Sequence, residues 1–549
     1  MIQNASFRRK IVYLALIALL LLPLYFIGNP AKGDPSNPQS RPGGKLAQLR
    51  AEYDLSQAEL GEIDPTSASM NLATLGLKGV AAAILWGKAN NYKKTENWEA
   101  LIAVVNQMSK LQPHFISVWE FQSHNLAYNV SVEHDDFRFR YSWVKKGIEF
   151  LIKGTRYNRR EPRLFHTVGW YTGQKFGVAD EHRQFRRLYA DDQDFHTFLS
   201  TYVPLDSEAR GANGKPDNWL TSKLWYDDAY DLVDNQGASL RGKSAHIFFA
   251  DNPKAQMNYA QAIEKEGYLD EKAESAWRKG LAEWREFGER VVPTSWGENI
   301  RLIDREAKAQ EAKRYENELI SLMPKLREEI LAERRATLNE LETSALTKST
   351  EQVTSDEERA AWISGKNKMT ITNRELANRA PEEIRAKAHR LASQTATTAT
   401  TLQRIISYRT QVNYEYWRTR CQVEQLRETV EARNLVFSAK EKMEVALLED
   451  ARKDYEAAWA KWAVIFQQYP ELLEDVVASD LTEDFRRYVQ LLDQLDEKLP
   501  EDLELRKLLE SEQRQTAVDE PVMPGDMGGV EMSEQPEAAG NSSPPPEDN

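Results

Sequence analysis

Cysteine is nearly missing from this chain. Cys421 is its single thiol, which excludes an intrachain disulfide framework, a cysteine-built zinc site and a c-type haem attachment. An excess of positive charge is missing too. Lys and Arg number 72 against 85 Asp and Glu, for a net charge of −13. That balance argues against a binder whose affinity comes from neutralising phosphates, so no nucleic-acid partner is expected. β-Branched alternating runs are scarce, and no β–α alternation runs through the chain. The strings G-x-S-x-G and H-E-x-x-H do not occur, so a hydrolase reading lacks its nucleophile or its base.

What is present is a long, mostly globular chain. It has 549 residues, 41% hydrophobic and 29% charged, which at roughly 150 residues per domain suggests about three to four units. Residues 11–27 carry no charge and follow Arg8, Arg9 and Lys10. As a helix they span roughly 26 Å, close to a hydrocarbon core of about 30 Å. The positive-inside rule then predicts a single-pass inner-membrane anchor with a cytoplasmic N-terminus and an exported main domain. A cleaved signal peptide is the alternative, but Asn29 stands at a poor −3 position for Gly28-Asn29-Pro30-Ala31. Four prolines and three glycines make 29–45 a linker.

From about residue 65, Ala, Leu, Trp and Tyr recur at helical spacing. Leu85 and Trp119 lie 34 residues apart, with Ala89, Tyr92, Trp98, Leu101, Val105, Met108 and Pro113 between them. This run resembles the tetratricopeptide repeat, a 34-residue helix–turn–helix unit. In that frame Ala89 is the small residue, Tyr92 the aromatic, Trp98 the packing residue between the helices, Pro113 the closing proline, and Trp119 the first large residue of the next helix. Leu101, Val105 and Met108 depart from it by standing at Ala, Phe and Ala positions. Two more segments match in part: Ala273 to Gly280, including Trp277, has the spacing of a second helix, and Tyr455, Ala458, Trp462 and Pro470 keep the Tyr, Ala, aromatic and Pro spacing of the repeat. The resemblance implies stacked helix pairs with a groove that takes a peptide or a partner helix.

Residues 301–342 hold 19 charged residues of 42 around a narrow apolar seam from Ala312 to Ile330, with Pro324 expected to kink the helix. A 4–3 seam runs from Ile384 to Val430. The economical reading is an antiparallel coiled-coil-like hairpin; the alternative is that residues 300–435 pair with a second copy. After Arg514 the chain has eight acidic residues, no basic one and no aromatic, a composition that cannot offset its ordering entropy. The predicted organisation is therefore all-α: stub and anchor 1–28, linker 29–45, tetratricopeptide-like array 46–297, hairpin 298–435, C-terminal repeat unit 436–510 and acidic tail 511–549.

One catalytic string matches in full. Gly237 to Ser244 fits G-x-x-x-x-G-K-[ST], with Gly242 and Lys243 in place. A phosphate-binding loop needs a buried strand before it and a helix after it. Trp225 to Asn235 is too acidic for a central strand, and Pro253 stands as a breaker within ten residues of Ser244. Seven of eight histidines fall between 114 and 246, none at metal-ligand spacing on a helix. No catalytic residue, cofactor or metal is therefore expected.

Leu111-Gln-Pro-His-Phe115, Trp119, Asn125-Leu-Ala-Tyr-Asn129, Ala276-Trp277 and Glu283-Trp284 together resemble the large membrane-anchored helical proteins of planctomycete-type bacteria. The resulting expectation is a non-enzymatic anchored scaffold that binds protein partners. The alternative is an enzyme or sensor with a nucleotide or metal site in residues 114–246.

Overall fold

The computed structural model describes residues 78–500 apart from 241, 242, 350, 351, 354, 471 and 473–475, together with isolated positions between 16 and 48 and residue 505. Apart from those isolated positions, the expected anchor over 11–27 and the linker over 29–45 lie outside the described residues, as does the acidic tail over 511–549. Among the described residues no helix is long and apolar enough to cross a membrane. The described residues are helical apart from a two-stranded antiparallel pairing of Val292–Pro293 with Asn299–Ile300 and an isolated bridge between Arg210 and Pro216. It divides into two compact units, 1–426 and 427–549.

The first unit opens with α1 (Lys78–Lys94) and α2 (Trp98–Leu111). Asn97 caps α2 by accepting the Ala100 N–H at 3.2 Å. Ala89, Leu101, Val105 and Met108 are buried together, with Leu85, Trp86, Tyr92 and Trp98 packed around them. The large residues at the three departing positions thus fill the space between the helices. In α3 (Ile116–His124) Trp119 is buried and its indole N–H donates to the Pro113 carbonyl at 2.8 Å. Gly154 of α4 (Phe137–Tyr157) makes room for that indole; a Cβ there would stand 2.8 Å from the ring.

α5 (Pro162–Gly177) follows, then α6 (His182–Asp191), α7 (Gln193–Leu199) and α8 (Asn218–Asp234). Gly169, Gly173 and Gly177 recur every four residues on one face of α5. Each would drive a Cβ into Ser222, Tyr226 or Trp219 of α8, so the two backbones approach closely because these positions lack a side chain.

α9 (Ala245–Lys265) corrects the expectation at Pro253, because the helix runs straight through it. The Tyr230 hydroxyl lies one turn before the proline. It donates to the Phe248 carbonyl at 2.8 Å and accepts the Asn252 N–H at 3.1 Å. A side chain inserted into the helical ladder thus satisfies groups that the distortion around the proline separates. Tyr230→Phe should lower stability by about 1–3 kcal/mol, since two backbone groups lose their partner. Urea unfolding checks this, and an unchanged midpoint would contradict it.

α10 (Glu271–Glu289) completes the wall. The hairpin then runs out along α11 (Arg305–Leu322), closes through α12 (Pro324–Arg335), α13 (Glu340–Thr347), α14 (Asp356–Met369) and α15 (Asn373–Asn378), and returns along α16 (Glu382–Gln411). Leu319 and Met323 share a core with Ala380, Ala388 and Leu391. At the other end Arg409 donates to the Leu302 carbonyl, so the two arms are antiparallel within one chain. Pro324 starts a new helix instead of kinking one. The 4–3 seam does not continue as one helix to Val430: Asn413 adopts a left-handed φ of 54°, and α17 (Tyr414–Val423) turns back onto α10, where Trp284 donates to the Tyr414 carbonyl at 3.0 Å.

The second unit contains α18 (Arg427–Glu444), α19 (Leu448–Gln468) and α20 (Val476–Gln494). Tyr455, Ala458 and Trp462 are buried on one face of α19, and Pro470 follows its end.

Candidate functional site

The glycine–lysine string folds as a connection between two helices, with α8 where a phosphate-binding loop would need a strand. Gly237 takes a left-handed φ of 67° as the chain leaves α8, and the Ala238 N–H bonds the Leu232 carbonyl at 2.9 Å. Ser244 is the residue before α9 and caps nothing with its side chain. Gly242 lies outside the described residues.

Lys243 is placed differently from any phosphate-binding lysine. Its Nζ stands 2.8 Å from Nδ1 of His166 on α5. The other ring nitrogen of His166, Nε2, is 2.9 Å from Oδ2 of Asp251 on α9. Nζ is also 3.4 Å from Nε2 of the same ring, so it lies over the ring face, while the carboxylate places the ring hydrogen on Nε2. His166 is 1% exposed, wedged between the Tyr226 and Phe248 rings at 4.8 and 4.9 Å. Lys243 is half-buried. Burial lowers the His166 pKa, Asp251 opposes the change, and the Lys243 charge adds to it. Burial likewise lowers the Lys243 pKa, against the pull of Asp251.

These shifts give a pH dependence. The unfolded chain takes up a proton at His166 near the ordinary value of 6.5, whereas the folded chain does so only at lower pH. The His166 contribution therefore falls as the medium is acidified through 6.5. Asp227 and Asp228, whose carboxyls are raised to about 6 by burial first of all, act in the opposite sense and become less unfavourable on acidification. The measurable quantity is thus a difference: between about pH 7.5 and 5.5, wild type should lose more urea stability than His166→Gln. Equal losses would contradict this.

The remaining histidines do not gather. His114 bonds the Tyr157 carbonyl, His182 the Ala179 carbonyl and His246 the Gln411 side chain, while His124 and His134 stack on Tyr128 and Trp143. Among the described residues no group of three or more His, Cys, Asp or Glu side chains is arranged to hold a metal ion.

A second feature lies on the other side of α8. Two clefts of about 920 and 630 Å³ share Glu208, Leu220 and Lys279 in their walls. Together they follow α10 from Glu271 to Arg290, roughly 28 Å of helix. Lys223 is buried at the base, bonded to Gln256 at 2.8 Å and to Glu283 at 2.6 Å. Asp227 accepts from Asn252 at 2.5 Å. Glu208, Glu286 and Glu289 line the same stretch with no ion pair among the described residues, while Arg290 is engaged with Asp234. No family model, curated protein or solved structure matches this chain.

Sequence reasoning singled out Lys243 but assigned Asp251 no part in a site. It offered no reason to join either to His166. The groove walls also escaped it. The four-residue glycine spacing on α5 was a usable sign of the tight α5–α8 approach that positions both features.

Proposed function

We propose that the chain is a membrane-tethered helical scaffold that holds a polypeptide segment of a partner protein in the groove along α10. The observation that supports this reading is the continuity of the groove. Its two clefts share walls and together follow one long helix, which suits a chain segment better than a small molecule. The unpaired carboxylates toward Arg290 favour a segment carrying Lys or Arg. The apolar run at 11–27, behind three basic residues, supports the tether, and stacked helix pairs of the tetratricopeptide kind supply the wall.

The test is charge reversal. Glu286 and Glu289 are exposed, so Glu286→Lys/Glu289→Lys should leave the fold intact and abolish recovery of the partner with the protein from detergent-solubilised native membranes. Undiminished recovery would count against the groove.

A further inference from the structure

α1 carries four lysines and no acidic residue between Lys78 and Lys94, in a chain whose net charge is −13. Its inward face, with Leu85, Trp86, Ala89 and Tyr92, packs on α2. The outward face has a different composition. Val80, Ala83, Ile84 and Gly87 stand at helical spacings of three, one and three residues, which places them on one stripe. Val80 is 58% exposed and Ile84 57%. A Cβ added at Gly87 would meet nothing within 4 Å among the described residues.

Lys88, Asn91 and Lys94 extend this exposed surface through the rest of the helix. Glu96 and Glu99, the next acids in sequence, stand beyond it, in the turn before α2 and in the first turn of α2. α1 therefore offers an apolar half followed by a cationic half, with no carboxylate of its own to neutralise the lysines. Such a helix lies in a membrane interface, with apolar side chains at the acyl boundary and lysines reaching to the headgroups. The glycine stripe of α5 is a contrast. There small residues admit α8 to close approach, whereas on α1 the large side chains of Val80 and Ile84 project outward.

We propose that the outward face of α1 docks on an anionic bilayer surface, with Val80 and Ile84 at the acyl boundary and Lys88 and Lys94 against lipid phosphates. The docking rests on the membrane tether proposed above and is independent of the groove. Residues 28–77, fifty in all, separate the apolar run at 11–27 from α1. A tethered chain thus keeps this face near the bilayer, and docking becomes an intramolecular event that needs only weak attraction. The contact gives the helical array a second point of attachment beside the tether.

The test places the purified full chain in lipid nanodiscs of two compositions, phosphatidylcholine alone and phosphatidylcholine with phosphatidylglycerol. The single native thiol, Cys421, is buried. A thiol-reactive fluorophore therefore reports from Ala83→Cys or, as comparator, from Lys313→Cys on α11, both exposed positions. Nitroxide groups on the lipid chains quench a probe that lies in the bilayer. The Ala83 probe should be quenched at least about twofold more in discs with phosphatidylglycerol than in discs without it, and Lys88→Glu/Lys94→Glu should remove the difference. The Lys313 probe should stay unquenched in both.

A chain that elutes apart from the discs overturns the tether and this docking with it. A chain that co-elutes with them, with the Ala83 probe quenched no more than the Lys313 probe, overturns the docking alone; a blue shift without quenching then assigns the face to a covering protein segment. Equal quenching in the two lipids, or quenching that survives the charge reversal, equally overturns docking on an anionic surface.

Discussion

Replacing Arg186 with Met should cost the first unit about 3–5 kcal/mol, read as a large fall in its urea midpoint. Arg186 lies on α6 and is 8% exposed. Its guanidinium donates through Nη2 to Asp217 at 2.8 Å, through Nε to Glu266 at 2.6 Å and through Nη1 to Asn218 at 2.5 Å. Asp217 is also the cap of α8, accepting the Trp219 N–H at 2.8 Å and the Leu220 N–H at 3.3 Å. One cation thus joins α6, the start of α8 and the end of α9. Methionine would fill the space but strand two carboxylates beside each other, one of them buried. Removal of one partner from a buried pair is costly because the survivor keeps its desolvation penalty. Arg186→Lys should fall between the two, since an ammonium retains the charge but cannot span three acceptors with a planar fork. A Met variant within about 1 kcal/mol of wild type would show that the network is slack.

Trp119→Ala should cost about as much, 3–5 kcal/mol, by a different route. Trp119 is 1% exposed. It packs on Gly154, stands 4.8 Å from the Phe150 ring, stacks on Tyr157 at 5.8 Å and holds the Pro113 carbonyl. Alanine leaves a cavity at the junction of α2, α3 and α4, although Asn158, which also donates to Pro113 at 2.9 Å, keeps that carbonyl satisfied. The loss is therefore one of packing more than of hydrogen bonding. Gly154→Ala should press on the same ring and cost less, about 1–3 kcal/mol, because the indole can shift slightly. Equilibrium unfolding of both variants checks the order, and a larger loss for Gly154→Ala would reverse the argument.

Local spacing made the helices legible. Ala89, Tyr92, Trp98 and Pro113 report on contacts within one helix pair, and the α1–α2 pairing follows from them. The hairpin was legible as far as its seam, because Leu319 and Leu391 face partners of the same pattern. Its end was not. A 4–3 repeat continues in sequence past Val412, but nothing local announces that Asn413 takes the left-handed conformation it tolerates better than most residues. Pro253 misled for a related reason. The rule that proline breaks a helix counts the lost hydrogen bond, and here Tyr230, 22 residues before Asn252, offsets the disruption. The same separation hides the Lys243 site. His166 and Lys243 are 77 residues apart, and the motif that drew notice to the lysine belongs to a chemistry whose strand is not there.

We propose that the groove along α10 holds the partner segment. The most direct measurement is site-specific photo-crosslinking in native membranes, with a photoreactive residue at Lys279 in the shared groove wall and, separately, at exposed Lys313 on α11 of the hairpin. The account predicts one discrete polypeptide adduct from Lys279, lost with Glu286→Lys/Glu289→Lys, and none from Lys313. Adducts from Lys313 with none from Lys279 would contradict it and move the working surface to the hairpin.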